Sequence, residues 1–190
     1  SKLRKNQFED KDEKGIFIVQ FLYMKSIVEN IAFDQIYHEH LLYYNLKPIS
    51  YLLDLYGLEV FDAYLSPIHG GSMIAYVSHK GNFPQSKRLI KLKKEEEVNK
   101  SNEIITYLNF SKDIDKLKEN DLSYLHRAKE LGKTIYGFGA PVKGNTLLNY
   151  FQLDQSTIDF LVEKNPLRKG LFSHGTHIPI LLEDELKELP

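Results

Sequence analysis

The chain has 190 residues, 42% of them hydrophobic, and its 25 Lys and Arg nearly balance 26 Asp and Glu for a formal net charge of -1. That balance excludes a polybasic nucleic-acid binder and an acidic tail, and the apolar share excludes a disordered chain. With no Cys there is neither a disulfide framework nor a thiolate zinc site; no apolar run reaches the roughly 18 residues of a membrane span, and the polar start Ser1–Asp12 lacks a signal-peptide core, so a soluble, cytoplasmic protein with no membrane partner is expected.

Residues 15–23, Gly-Ile-Phe-Ile-Val-Gln-Phe-Leu-Tyr, form a continuous apolar run rich in β-branched and aromatic side chains. Such a run predicts a strand buried on both faces, as in an α/β sheet. Lys47–Gly57 predicts a helix, with Pro48 in its first turn, Ile49, Leu52, Leu53 and Tyr56 on one face, and Gly57 just past its end. Leu58–Tyr64 and Ser72–His79 predict two strands of an antiparallel hairpin at a sheet edge, joined through Gly70-Gly71. From about Phe83 to Leu131 the composition turns charged, and apolar residues from Ile104 to Leu125 recur at helical spacing, which predicts two helices. The run Lys91–Lys100 within it reads as a solvated helix face. A strand over Lys133–Gly139, a helix over Ala140–Phe151, a strand over Ile158–Glu163 and a short strand over His177–Ile180 then follow. This is the strand, glycine turn, helix, strand pattern of a dinucleotide-type fold. The boundaries divide the chain into 1–85, a helical connection over 86–131, and 132–190.

Four constellations carry chemical groups. Phe33-Asp-Gln-Ile-Tyr-His-Glu-His40 packs a phenol, two imidazoles and two carboxylates into eight residues. Histidine titrates near neutrality and suits a general base, and a tyrosine hydroxyl suits an oxyanion. The same residues admit a structural role, or a metal site if the segment is extended so that His38 and His40 share a face. Pro67-Ile-His-Gly-Gly-Ser72 is a ligand loop or an ordinary hairpin turn. Tyr136-Gly-Phe-Gly-Ala-Pro-Val-Lys-Gly-Asn145 leads a strand through glycines into a helix with Lys143 in its first turn. That arrangement suits a phosphate, with Glu163 at the end of the next strand as the ribose acid of a degenerate nucleotide site, or is a structural turn. Glu163–Gly170 and Ser173–Pro179 sit at a strand end, where Lys164, Arg168 and Lys169 either meet an anion or form a charged surface loop.

Taken in order, Phe33–His40, Gly57-Leu-Glu-Val-Phe61, His69-Gly-Gly-Ser72, Tyr136–Asn145 and Gly175-Thr-His-Ile-Pro179 resemble the S-adenosylmethionine-dependent C-methyltransferases that act on nucleotide-linked keto-sugars. The resemblance covers nearly all of the chain from Gly15 onward. It implies an α/β chain made of part of a Rossmann-like methyltransferase sheet, over 1–85, followed by a second, Rossmann-like C-terminal domain over 132–190. The zinc module, the donor-binding glycine loop and its acidic residue that the family carries have no counterpart here. The expectation is therefore the back half of a methyltransferase domain plus the front of the C-terminal domain, as a fragment, a decayed copy or one part of a split protein. The implied reaction belongs to deoxysugar biosynthesis. His40 removes the proton next to a ketone, Tyr37 stabilises the enolate oxygen, Glu39 orients His40 or contacts the sugar, and the carbon takes a methyl group from S-adenosylmethionine. His38 is structural or touches the sugar. His69, Gly70, Gly71 and Ser72 would line the same cleft, with Gly139, Lys143 and Asn145 toward the diphosphate, and no metal takes part. The implied partners are a nucleotide-sugar and either a second copy of the chain or a chain that supplies the donor-binding half. A non-catalytic module that binds a sugar nucleotide or a partner subunit is the alternative.

Overall fold

The computed structural model describes residues 15–186. By packing, residues 15–30 together with Leu41–Asn109 form one compact unit, and Ile31–His40 together with residues 110–186 form the other. The helical stretch 86–131 is divided between them. No helix among the described residues is long and apolar enough to cross a membrane.

The first unit is a three-stranded antiparallel sheet in the order β1-β3-β2, built from β1 (Phe17–Leu22), β2 (Leu58–Ser66) and β3 (Ser72–His79). The hairpin of β2 and β3 forms as the alternation of its residues predicts, with β2 on the edge and a bulge between Val60 and Asp62. Met73, Ala75 and Val77 of β3 are fully buried and pack with Val60 and Ala63 of β2. Helix α1 (Met24–Glu29) follows β1 directly through Tyr23. Helix α2 (Leu46–Asp54) buries Leu46 and Ile49, holds Pro48 in its first turn, and is followed by Gly57 at φ +70°, the left-handed conformation that glycine adopts without strain. Helix α3 (Lys87–Val98) is capped by Ser86, whose hydroxyl accepts the Leu89 N–H, and it sets Leu89 into the core.

Two expectations fail here. The charged run Lys91–Lys100 is not wholly a solvated face, because its Glu96 is buried. Strand β1 is not buried on both faces: it is an edge strand, antiparallel to β3, with Phe17 and Ile18 exposed. A continuous apolar run marks a strand but does not say where the sheet places it.

The second unit opens with most of helix α4 (Ile104–Glu130), which carries the whole apolar series from Ile104 to Leu125 in one element. Its sheet is parallel, in the order β4-β5-β6, from β4 (Tyr136–Phe138), β5 (Phe160–Glu163) and β6 (Ile180–Leu182). Helix α5 (Val142–Phe151) makes the crossover from β4 to β5. The third strand lies two to three residues later than the sequence predicts, and Ile178, just ahead of it, is fully buried. Gly137 allows β4 to approach its neighbour, since a Cβ there would lie 2.3 Å from a Leu161 methyl. Asp159 ties the sheet to the preceding segment. Its carboxylate accepts the Ile135 N–H at 2.7 Å and the Lys129 ammonium at 2.9 Å, which together hold it below the usual carboxylate range. The molecule is thus α/β with two small sheets of opposite character.

Candidate functional site

The segment Phe33–His40 belongs to the second unit, where Phe33 anchors it. Phe33 is buried and stacks on Phe151 of α5, with ring centroids 5.4 Å apart and planes at 23°. A short 3-10 turn over Phe33–Gln35 then delivers the chain to Tyr37. The His40 N–H donates to the Tyr37 carbonyl at 3.1 Å, so residues 37–40 fold into a turn. The Tyr37 ring meets His40 edge-on at 5.0 Å and His38 edge-on at 6.1 Å. This turn removes the premise of the metal reading, which required an extended segment. Among the described residues, no three His, Asp, Glu or Cys side chains gather as a metal site. Glu39 is exposed in the same turn.

Beside this segment lies a cleft of about 520 Å³, lined by Tyr37, His38, Val142, Asn145, Thr146, Asn149 and His174. Val142, Asn145, Thr146 and Asn149 follow at i, i+3, i+4 and i+7, so one face of α5 forms the wall. That face is polar except for Val142. It offers two carboxamides and a hydroxyl, and the lining contains no carboxylate. The Lys143 ammonium stands 5.8 Å from the Tyr37 ring centroid, within cation–π range. Asn149 donates to the carbonyls of Asn145 at 2.8 Å and of His174 at 2.9 Å, which fixes the His174 loop against the helix. Gly175 permits that approach: its φ is +84°, and a Cβ would fall 2.2 Å from the Asn149 carboxamide oxygen.

Tyr37, His38, His40, Lys143 and Asn145 are therefore brought together. Thr146, Asn149 and His174 join them without having been singled out as site residues. The signal for the first two was the polar i, i+3, i+4, i+7 stripe of α5, a pattern normally apolar on the packed face of a helix. His38, not His40, is among the residues that line the cleft.

Gly139 lies elsewhere in the second unit. It has φ +85°, donates its N–H to the Val162 carbonyl at 2.7 Å, and lines a smaller cavity of about 270 Å³ with Phe138, Val162, Glu163, Lys164 and Glu183. Glu163, placed by the sequence as a ribose acid, is already engaged. Its carboxylate accepts the N–H groups of Lys164 at 2.8 Å, Asn165 at 3.2 Å and Ala140 at 3.2 Å, and the Arg168 guanidinium at 3.2 Å. The backbone donors of Asn165 and Lys164 are the main reason that its pKa falls to about 2. Arg168 also donates to the Ala140 carbonyl. Lys164 pairs with Glu183 and Lys169 with Glu185. The basic residues of this loop thus meet carboxylates of the chain itself, and Glu163 fastens the loop after β4 to the one after β5.

His69, Gly70, Gly71 and Ser72 belong to the first unit, and none of the four is among the residues lining the cleft. They form the β2–β3 connection, with φ of +55° at His69, +76° at Gly70 and +130° at Gly71. Gly71 packs so closely on α1 that a Cβ would lie 2.7 Å from the Ser26 Cβ. Ser72 is buried and donates its hydroxyl to the Ile68 carbonyl at 3.0 Å.

A family model described as the C-methyltransferase C-terminal domain matches residues 67–190, which takes in the hairpin turn, α3 to α5 and the whole parallel sheet. The chain belongs to the C-methyltransferase C-terminal domain family. It is also 29% identical over 167 residues to C-methyltransferase NovU of Streptomyces niveus, a match that covers 87% of this chain and 40% of that protein. The chain therefore spans less than half the length of this curated relative. Within the C-methyltransferase C-terminal domain match lie Lys143, Asn145, Thr146, Asn149 and His174, while Tyr37 and His40 lie ahead of it.

Proposed function

We propose that this chain serves an S-adenosylmethionine-dependent C-methyltransferase whose acceptor is a nucleotide-linked keto-deoxysugar, and that it handles the acceptor. The observation that carries this reading is the Tyr37–His40 pair, set edge to face at 5.0 Å beside the polar cleft of a C-methyltransferase family member. Carbon methylation next to a ketone needs a base for the α proton and a donor for the enolate oxygen. The His40 imidazole takes the proton, and the Tyr37 hydroxyl donates a hydrogen bond to the oxygen on which charge develops. A positioned base of this kind contributes roughly 10²–10⁴-fold to proton transfer. Glu39 orients His40 or touches the sugar, and His38, Asn145, Thr146, Asn149 and His174 offer hydrogen bonds along the cleft. Lys143 serves the diphosphate. In this reading the antiparallel sheet is the back of a Rossmann-like methyltransferase sheet and the parallel one is the second, Rossmann-like domain.

S-adenosylmethionine supplies the methyl group as co-substrate. The described residues do not fit it: β1 runs into α1 through Tyr23 with no glycine turn, and the acid after the β4–α5 glycine loop, Glu163, is taken up by its neighbours. No step is therefore assigned to a donor seat in this chain. The same observation favours a second reading, a module that binds the sugar nucleotide, or a partner subunit bearing the donor half, without moving a proton.

Proton exchange separates the two. The chain is incubated in D2O with a thymidine-diphosphate-linked keto-deoxysugar, and the hydrogen next to the ketone is followed by NMR. Loss of that signal, abolished in His40→Ala while the ligand still binds, is the expected result. Binding without exchange in the unaltered chain selects the non-catalytic module, and exchange that persists in His40→Ala removes His40 as the base.

A further inference from the structure

The segment that carries Tyr37 and His40 leaves the first unit after Asn30 and returns to it at Leu41. The chain before it and the chain after it are fastened to each other inside that unit. Tyr23 and Tyr44 form a parallel bridge, the Met24 N–H donates to the Tyr44 carbonyl at 3.0 Å, and the Lys25 N–H donates to the Asn45 carboxamide oxygen at 2.8 Å. Beneath this root lies Glu96 of α3, a carboxylate only 2% exposed. One of its oxygens accepts the Tyr23 hydroxyl at 2.7 Å and the Leu46 N–H at 2.5 Å. The other accepts the Lys47 N–H and the Asn102 carboxamide, each at 3.1 Å. One buried carboxylate thus holds Tyr23, ahead of α1 and the excursion, and the first turn of α2, shortly after the chain returns. A buried carboxylate of this kind is tolerated only when its lone pairs are filled, and the free N–H groups of a helix start fill them well.

We infer that Glu96 is a positioning residue for the Tyr37–His40 segment, acting by clamping together the chain on either side of the excursion that carries it. The inference rests on the acceptor chemistry proposed above for Tyr37 and His40. Only Leu41, Leu42 and Tyr43 separate His40 from the clamped Tyr44, and Leu41 and Leu42 are 89% and 69% exposed. Neither leucine contributes buried anchorage. The Glu96 root therefore contributes to the order of His40 from the C-terminal side, as Phe33 does from the N-terminal side. Glutamine at position 96 keeps the size but places an amide NH2 against two donors, from Lys47 and Asn102 or from Tyr23 and Leu46, so it opens the root without emptying it.

The test is Glu96→Gln, read in two ways. Amide hydrogen exchange of the peptide Ile36–Tyr43 should become about tenfold faster while β2 and β3 keep their protection. In the keto-sugar exchange assay, kcat should fall about tenfold with KM within about twofold, the mark of lost alignment rather than lost binding. Glu96→Asp, which restores the carboxylate, should recover part of the loss. A folded Glu96→Gln protein with unchanged protection over Ile36–Tyr43, or with unchanged kcat, overturns the inference. If Glu96→Gln does not fold, Tyr23→Phe, which removes one donor from the same carboxylate, is put through both assays with the same criteria. If the unaltered chain exchanges no sugar proton, the acceptor chemistry fails, and the amide measurement alone decides whether Glu96 anchors the segment.

Discussion

In the first unit the carboxylate Glu96 is sealed beneath a helix start and surrounded by neutral donors. In the second the carboxylates Asp159 and Glu163 stand at strand ends, with side chains 31% and 18% exposed, and each takes backbone N–H groups together with one cation. The contrast follows from sheet type. An antiparallel hairpin closes through a tight turn, so helices can pack over the sheet and bury what lies between. A parallel sheet needs crossovers, and its loops collect at the strand ends, where backbone donors are unpaired and polar side chains are wanted. Polarity in the first unit therefore serves the fold. In the second it gathers at the surface, where a ligand can reach it.

Four substitutions sharpen or break that contrast, beginning with the largest effect. Phe151→Ala removes the ring on which Phe33 stacks inside the second unit, and should cost about 3–5 kcal/mol in urea unfolding. A cost below about 1 kcal/mol would show that α5 does not depend on this stack. Tyr23→Phe withdraws one donor from Glu96 and should cost about 1–3 kcal/mol. The buried phenol, raised above its ordinary pKa by desolvation and by Glu96, stays protonated, so this cost should not vary across the neutral range.

Glu163→Gln should act through pH. The folded pKa of Glu163, about 2, lies below its unfolded value near 4.5. The stability it contributes is complete above about pH 4.5 and is lost as pH falls toward 2. The variant should flatten the acid limb of stability in that window, as read from urea midpoints at successive pH values. An unchanged limb would mean that the clasp does not form in solution. Last, Lys91→Ala cuts an exposed pair with Glu95, 3.8 Å apart on α3, and should change stability by less than about 0.5 kcal/mol. A larger loss would show that the Lys91–Glu95 pair does more than face solvent.

Much of the fold was legible because local chemistry dictates it. Pro48 and Gly57 bracket α2, Gly70-Gly71 turns the β2–β3 hairpin, and the glycines after Tyr136 lead β4 into α5. The aromatic and imidazole cluster of residues 33–40 was legible as chemistry for the same reason, since its groups are dense in sequence. Its surroundings were not. Thr146, Asn149 and His174 meet Tyr37 and His38 only because Phe33 stacks on Phe151 and Gly175 lets its loop lie against α5. The ribose-acid reading of Glu163 was reasonable from spacing, but spacing does not reveal that Lys164, Asn165, Ala140 and Arg168 converge on the same carboxylate.

By itself, the sequence determined which segments become strands and helices, where they turn, and that residues 33–40 gather a phenol, two imidazoles and two carboxylates, because periodicity, glycine and proline geometry and side-chain chemistry act over a few residues. Tertiary structure alone decided that β1 is an exposed edge, that Glu96 gathers Tyr23 and the start of α2, and that one face of α5 forms the wall of a cleft. Those are long-range pairings, and their energies depend on which distant groups arrive together.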